Sequence, residues 1–413
     1  MKRGKIFKRV NPVRNSSGVL NPAGINVKPN PAAEQRGIIS NGVKYPPVLN
    51  VDIKMRSQPS SSPPQLTISV IVPERNGGAK LRKSLSALTQ ATPPPTELIV
   101  VADGDTDESW RIAEEFGAKV LRIPKAQGPA RARNLGAREA QGDILFFVDA
   151  DVVITPDAIH QVEAAFSHDP RLTALFGSYD DEPGETNFLS QYKNLLHHYV
   201  HQMSREEAST FWAGCGAIRR QIFMEFGGFD ESYRKPCIED IELGYRLKQA
   251  GHRIRLSKSL QVKHLKRWGI ISLTKSDFFD RALPWTELIL RDKQFVNDLN
   301  LRFSSRLSVV LTYGLLLTLI GGFWWPVLFA VTCVLILLLL IFNAPVYRFF
   351  LQKRGLWFMI RTLPWHWFYY FYSGLAFAIG LSRSLLFRHR SQKPSLPPAP
   401  KGIPDTAQSP ECR

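Results

Sequence analysis

The chain has 413 residues and a formal net charge of +17, from 53 Lys and Arg against 36 Asp and Glu. That length allows two or three domain-sized units, and that charge calls for an anionic partner such as nucleic acid, an acidic membrane face or a phosphorylated substrate. The cysteines Cys215, Cys237, Cys333 and Cys412 are scattered without a CxxC pair, which argues against a disulfide framework or a zinc site and fits a reducing compartment.

Residues 1–65 are rich in Pro, Asn, Ser and Gly and carry eleven basic residues against Glu34 and Asp52, about half of the charge excess. Such a stretch cannot bury enough surface to offset its chain entropy, so it reads as a disordered basic tail. It has no apolar core of the kind a secretory signal needs. It is not interleaved with aromatic residues and no reading module accompanies it, so nucleic acid is not expected as a partner.

From Leu66 the texture changes. The runs at 66–72, 97–103, 119–123 and 143–149 are short, apolar and rich in β-branched residues. Helical stretches at 80–90, 107–116 and 129–140 lie between them. This alternation predicts βαβ units in an α/β fold, with a mostly parallel, Rossmann-like sheet buried on both faces. Ligands on such sheets bind beyond the carboxyl ends of the strands. Pro73-Glu74-Arg75-Asn76, Asp103-Gly104-Asp105 and Asp149-Ala150-Asp151 all fall there.

After Trp268, residues 269–306 include a stretch that alternates apolar and charged positions and reads as an interfacial amphipathic segment. No charged residue occurs from Leu307 to Tyr347, and Gly321-Gly322 and Pro326 interrupt that span beside Trp324 and Trp325. Two transmembrane helices are expected, near 307–324 and 326–343. A third apolar stretch at 363–381 is either a further span or an interfacial helix, so the region 307–382 holds two or three helices. A second disordered tail, 383–413, follows. Arg348, Lys353 and Arg354 come after the second helix, which places that loop and the catalytic domain on the cytoplasmic side of an inner or plasma membrane. Three full spans would put the basic tail, with Arg383, Arg388, Arg390 and Lys393, outside, against the same rule.

Three motifs carry chemistry. Asp149-Ala150-Asp151 follows the buried run ILFFV. Two carboxylates at a strand end offer hard oxygen ligands to Mg²⁺ or Mn²⁺, which keeps open positions for phosphates. Asp103 ends another strand, where its carboxylate is placed to accept hydrogen bonds from a base; Asp105 and Asp107 read as turn residues. Glu239-Asp240 opens an amphipathic helix, either as dipole-complementing acids or with one of them as a general base.

These segments, together with SVIVPERN, GPARARNLGAREAQGDILFFVDADV, FWAGCGAIRR, FGGFDE and IEDIELGYRLKQAG, occur in the order seen in family 2 glycosyltransferases with the GT-A fold, and the chain resembles that family over 66–268. The resemblance implies that Asp149 and Asp151 hold the metal and the donor diphosphate. It implies that Pro73, Glu74, Asn76 and Asp103 contact the nucleotide base, with Arg133 near the donor and Asp240 the base of an inverting transfer. Where many members have two aspartates this chain has Ala102-Asp103, and Gly77-Gly78 follow Asn76 where acidic residues are common. His264-Leu265-Lys266-Arg267-Trp268 looks like a variant of the QxxRW segment of membrane-bound processive synthases. Arg267 and Trp268 are then expected, with Glu239, on the acceptor and phosphate side, and His264 is a further candidate metal ligand. The implied activity is transfer of a sugar from a nucleotide-sugar donor to a hydroxyl of a lipid or glycan acceptor. The alternatives are a processive polysaccharide synthase and a metal-dependent nucleotidyltransferase.

Overall fold

The computed structural model describes residues 65–292 and 302–386. The expected basic tail before residue 65 and the expected C-terminal tail beyond 386 lie outside the described residues.

Eight strands form one sheet in the order β3-β2-β1-β4-β7-β6-β8-β5. They are β1 (Ile68–Glu74), β2 (Glu97–Asp103), β3 (Lys119–Ile123), β4 (Ile144–Val148), β5 (Val152–Ile154), β6 (Leu172–Tyr179), β7 (Cys215–Arg219) and β8 (Arg253–His264). The first four are parallel neighbours, as the βαβ spacing predicts. The other half is mixed: β7 runs antiparallel to both β4 and β6, β6 and β8 are parallel, and β5 is antiparallel to β8. The expectation of a mostly parallel sheet therefore describes the N-terminal half.

Period-two alternation splits each central strand between two cores. Ile68, Val70 and Val72 of β1, with Ile144, Phe146 and Val148 of β4, pack beneath α1 (Gly78–Thr89) and α4 (Ala158–His168). Ile71, Leu145 and Phe147 face the opposite side, which is covered by α3 (Pro129–Glu139) and α7 (Glu239–Gln249). Phe147 there meets Phe229 edge-on at 5.2 Å. The short helices α2 (Trp110–Glu115) and α6 (Arg220–Glu225) and the longer α5 (Phe188–Gln202) complete the layer.

The segment expected to be interfacial folds as α8 (Ile270–Lys275), a π-helical turn (Ser276–Ala282) and α9 (Leu283–Asp292). Its apolar face is used largely within the protein: Leu288 and Trp285 pack against Ile238 and Tyr245. Ile271 and Phe279 remain exposed. Residue 268 is not a packing boundary either. Trp268 is buried against Leu189 and Leu273, with Trp365 beside it.

Helices α10 (Phe303–Gly321) and α11 (Val327–Phe342) form an antiparallel hairpin. The Thr332 hydroxyl donates to Thr318 Oγ1 at 2.9 Å, and Asn343 Nδ2 donates to Ser308 Oγ at 3.0 Å. α10, with 19 residues and a mean hydropathy of 1.6, is long and apolar enough to cross a membrane. α11 meets that standard only together with α12 (Ala344–Leu386), from which it is bent by 64°. α12 itself breaks at Gly355, whose φ is 81°. Beyond that break it runs along α5, the π-helical turn and α9. Arg361 lies over the Phe188 ring at 4.2 Å, the Tyr372 hydroxyl donates to Asp277 Oδ2 at 2.7 Å, and Arg383 donates to Glu287 at 3.1 Å. The stretch expected at 363–381 as a third span or interfacial helix is thus docked on the domain along its length.

One glycine sets how closely α7 approaches the sheet. A Cβ on Gly244 would lie 2.3 Å from the backbone nitrogen of Phe211. Gly244→Ala should therefore push α7 off the 210–213 segment, with a loss of about 1–3 kcal/mol of stability and a fall in activity. Denaturant midpoints and turnover of the variant check this together.

Candidate active site

The motifs converge at the carboxyl ends of β1, β2 and β4, and a buried cation organises them. Arg133 projects from α3 and is only 5 % exposed. Its Nη2 donates to Asp149 Oδ1 at 2.6 Å and its Nη1 to Glu239 Oε1 at 2.8 Å. Burial works against its charge, and Asp149, Glu239 and Asp240 overcome that effect, so the guanidinium stays protonated. The fork ties the end of β4 to the first turn of α7.

This changes the parts expected of several residues. Glu239, expected on the acceptor side, is buried, and its second oxygen accepts from the Cys237 backbone at 3.0 Å. One oxygen is thus engaged by Arg133 and the other by the Cys237 backbone. Asp240, its neighbour, is half-buried. Its Oδ2 accepts from Ala213 N at 3.0 Å and its Oδ1 from Ile241 N at 2.8 Å. Burial, and then the charge of Glu239, raise its pKa to about 7, the range in which a carboxylate is most effective as a general base near neutral pH.

Asp149, Asp151 and His264 do not assemble as a three-ligand set, and among the described residues no group of three or more His, Cys, Asp or Glu is placed to hold a metal. The reason is that Asp149 is turned toward Arg133. Asp151 Oδ2 and His264 Nε2 stand 3.7 Å apart, because β5 and β8 pair Val152 with His264. Burial pushes the His264 pKa down to about 3, and its ring stacks on Tyr179 at 4.3 Å. A neutral imidazole beside a carboxylate fits a divalent ion that takes its other ligands from phosphate and water.

The nucleotide side is less open than the motifs imply. Both oxygens of Asp103 are engaged by backbone amides, Oδ1 by Gln127 N and Oδ2 by Gly128 N, each at 2.7 Å. Gly128, at φ 99°, makes the turn that aims these amides. Asp103 therefore serves first as an anchor for the start of α3. Asp105 and Asp107 are turn residues, as expected, accepting from Trp110 N and Ser109 N. Asn76 reaches across to Thr106, accepting from its backbone N–H at 2.8 Å, and holds the first two loops together. Pro73, half-buried, sits in register with Val101. Glu74 is buried with Oε1 unpartnered, and burial, with the Asp105 charge, raises its pKa to about 8. The shift favours its protonated form near neutral pH.

The 264–268 strip is extended, and successive residues point to opposite sides. His264 and Trp268 turn inward. Lys266 accompanies them, half-buried, with its Nζ 4.4 Å from the Trp268 ring centroid. Arg267 is 73 % exposed and faces Glu185 at 3.7 Å. Arg267, expected on the phosphate side, is thus the outward-facing residue, and the charge of Lys266 acts on Asp151 together with that of Lys80. Trp268 is walled in by α5 and α8 and is not free to meet an acceptor ring.

Residues 69–227 match the model of glycosyl transferase family 2. The chain is 28% identical over 204 residues to the probable glycosyltransferase YdaM of Bacillus subtilis (strain 168), covering 46% of this chain and 48% of that protein. It is 26% identical over 268 residues to the validoxylamine A glucosyltransferase of Streptomyces hygroscopicus subsp. limoneus, covering 55% and 56%. The chain spans about half the length of these curated relatives. Among solved structures, the mannosyltransferase PcManGT from Pyrobaculum calidifontis, in complex with GDP-Man and Mn2+, aligns with a TM-score of 0.45 at 14% identity, covering 79% of this chain and 88% of that one.

Replacing Arg133 with Met should leave Glu239 buried and unpaired, at a cost of about 3–5 kcal/mol. Arg133→Lys should recover part of this, since an ammonium meets one carboxylate well but lacks the fork. Chemical denaturation of the three proteins in one detergent reads the order.

Proposed function

We propose that this chain is an inverting, metal-assisted glycosyltransferase that moves a sugar from a nucleotide-sugar donor to a hydroxyl of a lipid-linked or membrane-presented acceptor. The observation that carries the reading is the position of Asp240. It lies in the first turn of α7, next to the Arg133–Glu239–Asp149 fork, and its pKa is raised to about 7.

In this reading Asp240 accepts the proton of the acceptor hydroxyl as the oxygen bonds to the anomeric carbon. The bond from that carbon to the diphosphate oxygen breaks, and its electron pair leaves with the nucleoside diphosphate. A single displacement inverts the centre. A divalent ion such as Mg²⁺ or Mn²⁺, held by Asp151 and His264, would supply positive charge to the departing diphosphate. Lys80 and Lys266 add to that field. Arg133 keeps Asp149 in place beside it, and Glu74, protonated, offers a donor on the nucleotide side. The processive alternative finds no support in Arg267 or Trp268, which point away from the cleft or are enclosed.

The base must be ionised to work. Transfer should rise with pH through about 7 and level off above, measured as turnover of UDP-, GDP- and dTDP-sugars by protein in detergent with lipid extracts as acceptors. Asp240→Asn should lower turnover by about 10²–10⁴-fold and shift donor affinity far less. Turnover within tenfold of the parent would remove Asp240 from this role.

The membrane reading rests on the α10–α11 hairpin. Its helices of 19 and 16 residues reach roughly 24–28 Å, close to the ~30 Å apolar layer. Phe323, Trp324 and Trp325 are exposed at its tip. Both ends of the hairpin return to the catalytic domain, where Arg354 donates to the Asp181 carbonyl at 2.8 Å. In this reading the sheet domain and the end of α12 docked on it lie on the cytoplasmic face. A fluorescent-protein fusion to the C-terminus of the full chain should therefore fluoresce, and an alkaline phosphatase fusion there should be inactive. The opposite pair of results would require a third crossing.

A further inference from the structure

The π-helical turn Ser276–Ala282 joins three parts of the molecule and delivers a cation that no sequence motif marks. Asp277, 5 % exposed, accepts from Lys193 of α5 at 2.6 Å and from the Tyr372 hydroxyl of α12 at 2.7 Å. One helical turn on, Arg281 Nη1 stands 4.0 Å from the same carboxylate, with its side chain 44 % exposed. One turn further, Trp285 donates to the Tyr245 hydroxyl at 3.0 Å and packs with Ile238 and Ile241, the residues that bracket the Glu239-Asp240 pair. Arg281 thus sits in the chain between the buried clamp and Trp285, which meets α7, and the charge of Asp240 acts on it.

The local charge is unbalanced. One carboxylate, Asp277, serves two cations. Lys193 takes both of its oxygens at close range, so the surplus positive charge falls on the more exposed Arg281. Lys266 adds to it, with no carboxylate within ion-pair distance among the described residues. Burial opposes the charge of Arg281, and Asp277, Tyr179 and Asp240 sustain it. A guanidinium held by one end leaves its remaining N–H groups for an oxyanion, for which its planar fork is suited. π-helical turns of this kind are often found at functional sites.

We propose that Arg281 receives a phosphate group carried by the acceptor, beside the hydroxyl that Asp240 deprotonates. This rests on the reading of Asp240 as the acceptor-side base. It narrows the acceptor class to phosphoesters, with a phosphate-bearing lipid as one source and a water-soluble phosphoester as the other. The Tyr372–Asp277 contact links the position of Arg281 to the helix docked at the membrane side.

The test is equilibrium binding to the full chain in neutral detergent, without donor, using farnesyl phosphate, inorganic phosphate, farnesol and UDP as probes. Arg281→Gln should weaken farnesyl phosphate by at least about tenfold, as expected for loss of a charge-assisted contact, and by about tenfold more than it weakens UDP. Arg281→Lys should recover part of the affinity, which a misfolded protein would not show. Farnesyl phosphate binding much more tightly than inorganic phosphate supports a lipid source; equal affinities support a soluble phosphoester. The proposal is overturned if Arg281→Gln leaves farnesyl phosphate binding unchanged, if UDP loses as much, or if farnesol loses as much. Because no donor is present, failure of sugar turnover would count against the glycosyltransferase reading and leave this result standing.

Discussion

A single buried guanidinium sets the geometry on which the site depends. Placing Arg133 beneath the cleft costs several kcal/mol in lost hydration unless both arms of its fork meet carboxylates. Those carboxylates, Asp149 and Glu239, come from segments about ninety residues apart in the chain. Meeting the cation therefore brings the end of β4 and the start of α7 to one point. Glu239 is enclosed by this arrangement, and Asp240 beside it is only half-buried.

The same division of labour recurs in each motif. In Asp149-Ala150-Asp151 the first carboxylate is tied to Arg133, and the second remains beside His264. In Glu239-Asp240 the first is enclosed and the second is half-buried. In the strip after β8 the pleat turns Arg267 outward and Lys266 toward the carboxylates. In each acidic pair, then, one carboxylate is tied into the fold and the other is left less enclosed.

Much of this was legible from residue order. The runs that became β1 to β4 are short, apolar and separated by helical stretches, and parallel strands buried on both faces require that pattern. The positions of Asp149, Asp151 and Asp240 at element ends followed from the same spacing. What sequence could not supply was the choice of partner. Nothing local distinguishes Glu239 from Asp240, or tells Asp149 that it faces Arg133, because the choice is made by a residue on a different helix. The antiparallel insertion of β7 was hidden for a similar reason, since FWAGCGAIRR reads as a glycine-rich loop until its pairing with β4 and β6 is known. Arg281 lies in a stretch whose charge alternation suggested a membrane surface, and the π-helical turn sets it beside Asp277, which is held by α5 and α12.

The burial of Trp268 has a consequence for how the molecule can be divided. Its ring lies against Leu189 of α5, with Trp365 of α12 near it, and Tyr192 on the same helix packs against Phe350. The last strand therefore does not end a self-sufficient body. A shortened chain stopping there would present a broad greasy surface to water and leave Lys193 without its buried counter-ion. α5 and α12 cover one another's apolar faces, so a fragment ending at Trp268 would lose that cover, and the chain is best prepared whole.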